Sequence, residues 1–402
     1  MWEQIRSNRI RSVVLVAGMA GLLLAIGYFL GEAFLGSPTG GIIIAAIVLL
    51  VMNLVAYFQG DNIMLRIAGA RKINREDHPR LYNIVEEMKL ASGLEYLPDV
   101  YIIDDPALNA FATGRDPKHA AVAITSGLLQ KLNRDELQGV IAHEIAHIKN
   151  RDVLLMAFAG VLLGTIVMLS WYASRLMLFG GLYGGRRRSS AGGGQAQLLI
   201  MVVAIALAVL APIFAYLIYF AISRRREFLA DASAALYTRY PEGLASALEK
   251  LGASRLPVKR ANQATAPMYI VHPMQARGRQ AGSLMSTHPP IEERVRILRS
   301  MGGASLADYE QAYRSLHRGR GRLFSPRTVA AAGTPGLQAV ERPRDTGEPS
   351  RLERAREVSD LMWRQANFRT VDCECGTRLR VPPEYRGDSV RCPHCGHVSR
   401  LQ

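Results

Sequence analysis

The 402-residue sequence predicts a mainly α-helical, membrane-embedded protein with a water-facing domain that holds a small β-sheet, and a small β module at the C-terminal end. Three observations carry this reading. Four apolar runs are long enough to cross a bilayer, an apolar helix around His143 carries two histidines and a glutamate at helical spacing, and all four cysteines fall between Cys373 and Cys395.

Apolar residues make up 49% of the chain and charged residues 21%, yet mean hydropathy is +0.07. So many charges normally give a negative value, so the apolar residues must be concentrated locally. The net charge is +15. Its arginines form no aromatic-interleaved stripe, which favours basic segments flanking membrane spans over nucleic-acid binding. No signal for an oligomeric state is present. The cysteines make no framework spread over the chain, which argues for a reducing compartment around the tail.

The apolar runs are Val13–Leu30 and residues 41–58, 153–179 and 198–222. A helix of roughly 20 residues crosses the ~30 Å hydrocarbon core, and helices satisfy their own backbone groups in lipid. The opening MWEQIRSNRIRS leads into the first run without a small-residue cleavage site, so this span is expected to be retained. Residues 1–60 then form two membrane helices, 61–152 the first part of the water-facing domain, 153–222 a membrane hairpin, and 223–317 the second part. Residues 318–351, rich in Arg, Pro, Gly and Thr, read as a flexible linker, and 352–402 as a short helix with the β module.

Arg6, Arg9 and Arg11 precede the first span and basic residues follow the second, whereas the loop between them has no Lys or Arg. The positive-inside rule therefore puts the water-facing domain and the tail in the cytoplasm. Arg186, Arg187 and Arg188 between spans three and four conflict with that rule: either the hairpin exports them, or these spans form a re-entrant pair.

Within the water-facing domain, Leu81, Ile84, Val85 and Met88 give residues 79–90 a helical face. Strands are expected at 100–103, 109–113 and 121–125. A helix starts after Asn133, where Asn133 and Glu136 have capping-box spacing.

That helix carries His143-Glu144-Ile145-Ala146-His147. Residues four apart share a helix face, so both imidazoles reach one ion with Glu144 beside the open coordination position. Zinc suits such a set and acidifies a bound water. Apolar neighbours on nearly every side argue against two ordinary surface histidines, because a buried His pair beside a buried Glu needs a partner. A third ligand is still missing. Glu227 and Asp231, four apart after the fourth span, suit a ligand plus an acceptor that holds a ligating histidine. The alternative is an exposed helix whose Glu227 pairs with the adjacent arginines. An even number of crossings separates His147 from Glu227, so both emerge on one side of the membrane.

With PALNAFATG (106–114), ITSGLL (124–129), the helix after Asn133, RRREFLADASAA (224–235) and STHPPIEERV (286–295), the chain resembles the HtpX-like membrane zinc metalloproteases, relatives of the CAAX prenyl endopeptidases. The resemblance spans about three quarters of the sequence. It implies a zincin fold with His143, His147 and Glu227 on a catalytic zinc and Glu144 as general base. It also implies that His288 contacts the substrate carbonyl or oxyanion, and that Asn109, Ala110 and Phe111 lie on an edge strand to which an extended protein or peptide substrate adds. Arg294 reads as a structural ion-pair partner. A quality-control protease of the cell (inner) membrane, working at its cytosolic face, is what the family suggests. Four spans fit the HtpX type and not the many-span prenyl endopeptidases.

The tail departs from the family pattern. Cys373 and Cys375 against Cys392 and Cys395 resemble a zinc ribbon with a second, structural zinc. One spacing is short by a residue, so His394 or His397 stands as an alternative ligand, and a redox-active CPHC pair as an alternative reading. Two other classes also stay open: a catalytically idle membrane scaffold, or a regulator whose ribbon recruits a protein or nucleic-acid partner.

Overall fold

The protein is described by a computed structural model over residues 2–183, 194–254, 256–261, 266–273, 288–319, 322–324, 326, 329 and 348–401. The four apolar runs form long helices: α1 (Trp2–Leu30), α2 (Pro38–Ala68), α6 (Asp152–Tyr183) and α7 (Gly194–Thr238). With 29 to 45 residues each, all are long enough to cross a bilayer. Their apolar side chains point outward: Ile43, Ile47, Leu50 and Phe58 on α2, and Val209 and Ile213 on α7, are exposed. A soluble core helix would bury that face, whereas lipid solvates it, and the chain is a multi-pass membrane protein. Inside the bundle, Met19, Leu23 and Ile26 of α1 meet Leu162 and Ile166 of α6 and Ala211 and Ala215 of α7. A Cβ at Gly41 would lie 2.0 Å from the Gly27 carbonyl oxygen, so α1 and α2 touch backbone to backbone. The three hairpin arginines, Arg186 to Arg188, lie outside the described residues.

Two membrane helices run further than their apolar stretches. α2 continues to Ala68 before Gly69 ends it in the left-handed conformation (φ 67°). α7 passes unbroken from its apolar part through Glu227 and Asp231 to Thr238. The segment expected to follow span four is thus that span's own continuation.

The water-facing domain has a four-stranded sheet of order β1-β2-β4-β3, from β1 (Ala70–Lys72), β2 (Asp99–Ile103), β3 (Ala110–Thr113) and β4 (Ala121–Thr125). β2 and β4 are parallel, while β1 and β3 pair antiparallel at the two edges. β1 and the short α4 (Ser126–Lys131) were not expected from sequence. Ala-Arg-Lys has no alternation to read, and Thr125 caps α4 through a local hydrogen bond from Leu128 N–H.

One face of the sheet packs against α3 (Pro79–Ser92) and α5 (Arg134–Asn150). The capping box forms as expected, with Glu136 N–H donating to Asn133 Oδ1 (2.8 Å) and Asn133 N–H to Glu136 Oε2 (2.9 Å). α8 (Pro241–Ala253) crosses α5 at Gly139, where a Cβ would meet Leu244 N at 2.7 Å. α9 (Ile291–Arg299) and α10 (Leu306–Leu316) close the far side.

The stretch expected to be a linker begins as packed chain. Leu323 and Phe324 are buried, and their backbone N–H groups both donate to Glu310 Oε2 at 3.1 Å. The tail helix α11 (Arg351–Gln365) likewise buries Val358 and Leu361 completely in the main core. Composition missed both because a few well-placed apolar residues suffice when the partner surface is already built. Beyond α11, β5 (Arg369–Asp372) pairs with β6 (Arg378–Val381), and β7 (Ser389–Arg391) with β8 (Val398–Arg400).

Candidate active site

α5 and α7 cross so that His143, His147 and Glu227 converge, their ligating atoms all within 4.8 Å of one another. His143 Nε2 lies 3.2 Å from His147 Nε2 and 3.6 Å from Glu227 Oε2, and His147 Nε2 lies 3.4 Å from Glu227 Oε1. Glu227 is buried and turned toward the histidines, so the exposed-helix alternative fails. Of its neighbouring arginines, Arg226 pairs instead with Asp152, Nη1 to Oδ1 at 2.7 Å.

Carboxylates orient both imidazoles. His143 Nδ1 is 3.0 Å from Asp231 Oδ1, and His147 Nδ1 is 3.0 Å from Asp152 Oδ2. With each Nδ1 facing a carboxylate, the two Nε2 atoms turn toward each other at 3.2 Å, on the side where Glu227 closes the group, and a cation shared between them would satisfy both. A tetrahedral zinc with bonds of ~2.0–2.1 Å would set its ligand atoms about 3.3–3.4 Å apart, and the three observed separations bracket that value. The donor set fits zinc.

Sequence reasoning missed Asp152 and Arg226. Asp152 is one residue beyond the α5 C-cap Arg151, a non-glycine residue held at φ 56°. That left-handed turn swings Asp152 back beside His147 and starts α6. The signal was an acidic residue five positions after His147, weak without the turn. Arg294 is completely buried, donating from Nε and Nη2 to Asp231 (2.8 and 2.6 Å), with Nη1 3.2 Å from Glu227 Oε2. This is the structural pairing expected of it.

Glu144 is 1% exposed and shares a cleft with Ala112, His147, Glu227 and Met268 that reaches the first turns of α6 at Val153 and Met156. Burial raises its pKa above the ordinary carboxylate value. His288 Nδ1 lies 3.6 Å from Glu227 Oε2, and burial lowers the imidazole to about 4.

β3 is at the sheet edge, but the chain's own residues 269–271 cover most of it. Ile270 N–H donates to Ala110 O (3.0 Å), Asn109 Nδ2 donates to Val271 O (2.8 Å), and the Phe111 and Tyr269 rings pack edge to face at 5.1 Å. Asn109, Ala110 and Phe111 are all buried among these contacts. The next residue, Ala112, lines the cleft.

In the tail, Cys373 Sγ is 3.5 Å from Cys395 Sγ, and Cys375 Sγ 3.7 Å from Cys392 Sγ. These are free thiols, and a zinc with four bonds of ~2.3 Å would hold its sulfurs about 3.8 Å apart. Two matching turns build the site: Gly376 N–H donates to Cys373 O (2.8 Å) and Gly396 N–H to Cys392 O (2.9 Å), both glycines at positive φ. The four sulfurs group together, His394 hydrogen-bonds Cys375, and His397 faces Glu374.

Two histidines and a glutamate around one cation position, with a buried carboxylate beside them on a membrane-anchored scaffold, define a membrane zinc metalloprotease. Comparison with known proteins agrees. The sequence profile of Peptidase family M48 matches residues 75–302. A "Protease HtpX homolog" of Dictyoglomus turgidum is 47% identical over 302 residues, covering 75% of this chain and 95% of that protein. Proteins of the same description from Thermoanaerobacter pseudethanolicus and Streptococcus pneumoniae are 44% and 43% identical, covering 75% of this chain and 98% and 100% of their own length. A crystal structure of S. mikatae Ste24p aligns with a TM-score of 0.43 and 20% identity over 74% of this chain and 67% of that one. The chain belongs to peptidase family M48 and is an HtpX-like membrane metalloprotease.

Proposed function

We propose that His143, His147 and Glu227 hold a catalytic zinc, and that the protein cleaves membrane or misfolded proteins at the cytosolic membrane face in a quality-control role. The observation that carries this is the pair of facing Nε2 atoms closed by Glu227, with Glu144 lining the same cleft. Held by these residues, zinc would supply Lewis-acid polarisation of the scissile carbonyl and a more acidic attacking water. Glu144 accepts the proton from the attacking water and delivers it to the leaving amine, a task helped by the burial that raises its pKa. His288, held neutral by burial, donates an N–H hydrogen bond to the developing oxyanion. Asp231 and Asp152 keep the two imidazoles oriented. An extended substrate runs along the β3 edge where Ala112 lines the cleft. The four tail cysteines hold a second, structural zinc.

The test is cleavage of denatured β-casein by purified protein in detergent. Activity should need zinc, and Glu144→Gln should abolish it with zinc content intact, because the amide keeps the shape and cannot accept the proton. Undiminished turnover by that variant refutes the assigned base.

A further inference from the structure

The family match ends at residue 302, so α11 and the ribbon lie beyond it. From their contacts we infer that the tail is a brace on the active-site helix, with Glu348 as a positioning residue for it.

A helix leaves its first N–H groups without intrahelical acceptors. In α5, Asn133 satisfies that of Glu136, and Glu348 Oε1 accepts the N–H of Arg134 at 2.7 Å. A tail carboxylate thus completes the cap of the helix that carries His143, Glu144 and His147, at its positive end. Arg354 fixes Glu348 in turn: its Nη1 is 3.4 Å from Glu348 Oε1 and donates to Pro349 O (2.6 Å), while its Nε donates to Gln130 O at the end of α4 (3.4 Å). Arg354 is only 9% exposed, so this is no loose surface pair.

α11 is fastened along its length. Val358 and Leu361 are in the core, and at the far end Arg364 donates to Asp77 O (2.9 Å) and Arg71 to Gln365 O (3.0 Å). The ribbon then sits on α11: Arg380 lies over the Trp363 ring at 5.2 Å and reaches Asp360 Oδ1 at 3.1 Å, and Arg378 pairs with the same Asp360. Contacts therefore run from the ribbon through α11 to the first turn of α5. Composition alone suggested a flexible linker before the short helix and β module; these contacts make the tail part of the catalytic domain's framework.

The proposal rests on α5 as the carrier of the catalytic residues, and its test separates the two claims. Hydrogen exchange is followed by mass spectrometry in peptides covering the start of α5, in full-length wild type, Glu348→Ala, Glu348→Gln and Val358→Asp, with zinc content and casein kinetics on the same preparations. Loss of a cap should speed exchange in the first turn of α5 about five- to tenfold in Glu348→Ala. kcat should fall several-fold at constant KM with catalytic zinc retained. Glu348→Gln keeps an acceptor oxygen and should recover most of both. Val358→Asp, which undocks the whole helix, should exceed Glu348→Ala. Unchanged exchange in Glu348→Ala overturns the brace, whatever the activity, and faster exchange with unchanged kcat overturns the positioning role. A wild type that cleaves nothing would defeat the proposed proteolysis and leave the exchange result to judge the brace.

Discussion

Arg294 grips Asp231 with two hydrogen bonds, 2.8 Å from Nε and 2.6 Å from Nη2, where both side chains are fully buried. Asp231 in turn holds His143, so the arginine acts on a candidate ligand through one intermediate carboxylate. The same chain recurs on the other imidazole, where Arg226 holds Asp152 and Asp152 holds His147. α9 supplies one arginine and α7 the other, and each pairs with the carboxylate behind one imidazole.

Removing the Arg294 charge leaves Asp231 and Glu227 as buried anions with less compensation. Arg294→Gln should destabilise the zinc-free protein by about 3–5 kcal/mol, the usual cost of breaking a buried pair from one side. Zinc restores part of the lost positive charge. The rise in thermal midpoint on adding zinc should therefore be larger in the variant than in wild type, and an equal rise would disprove this electrostatic account.

Asp152→Asn keeps an oxygen for His147 Nδ1–H but loses the charge. The expected cost is about 10- to 100-fold in affinity for the catalytic zinc, as for other carboxylates behind a ligating histidine. Competition with a chelator of known affinity measures it. If only ribbon zinc responds, Asp152 has no part in the site.

Legibility in the sequence followed how local each cause was. The α5 cap, the His143/His147 spacing and the four spans are set within one helix and were readable. Glu227 with Asp231 required only that α7 continue as a helix. Asp152 depended on a left-handed turn at Arg151, an unusual conformation for arginine that no spacing rule signals. The covering of Asn109 to Phe111 by residues 269–271 joins segments 160 residues apart, and the docking of Glu348 on Arg134 spans 214. Such pairings between distant segments leave no periodicity to read.

His78 predicts a pH limit on stability away from the metal. Its Nδ1 accepts Leu81 N–H at 3.2 Å as the N-cap of α3, and burial, with Arg80 nearby, lowers its pKa to about 4. The folded pKa is below the unfolded one, so this contribution is complete above about 6.5 and is lost as pH falls from there toward 4. Its size is on the order of 3 kcal/mol. His78→Asn supplies a capping oxygen that does not titrate, so its thermal midpoint should fall less than that of wild type between pH 6.5 and 4.5. Parallel curves would show that His78 does not set the limit.

The cleft should choose the side chain beside the scissile bond. Ala112 of β3 lines the cleft together with Met268, Val153, Met156 and Glu144. A wall of one methyl, one isopropyl and two flexible thioethers suits a medium-sized apolar residue, and each methylene gained or lost there is worth about 1–3 kcal/mol of discrimination. Ala112→Val should therefore shift cleavage of denatured β-casein toward smaller residues at the cut, and Met268→Ala toward larger ones. Neither residue belongs to the metal group, so zinc content should stay at the wild-type value in both. Mapping the cut sites by mass spectrometry reads the preference directly, and opposite shifts in the two variants distinguish a shaped pocket from general loss of activity. If both variants cut at the wild-type positions in wild-type proportions, the side chain beside the scissile bond lies elsewhere and this cleft does not select it.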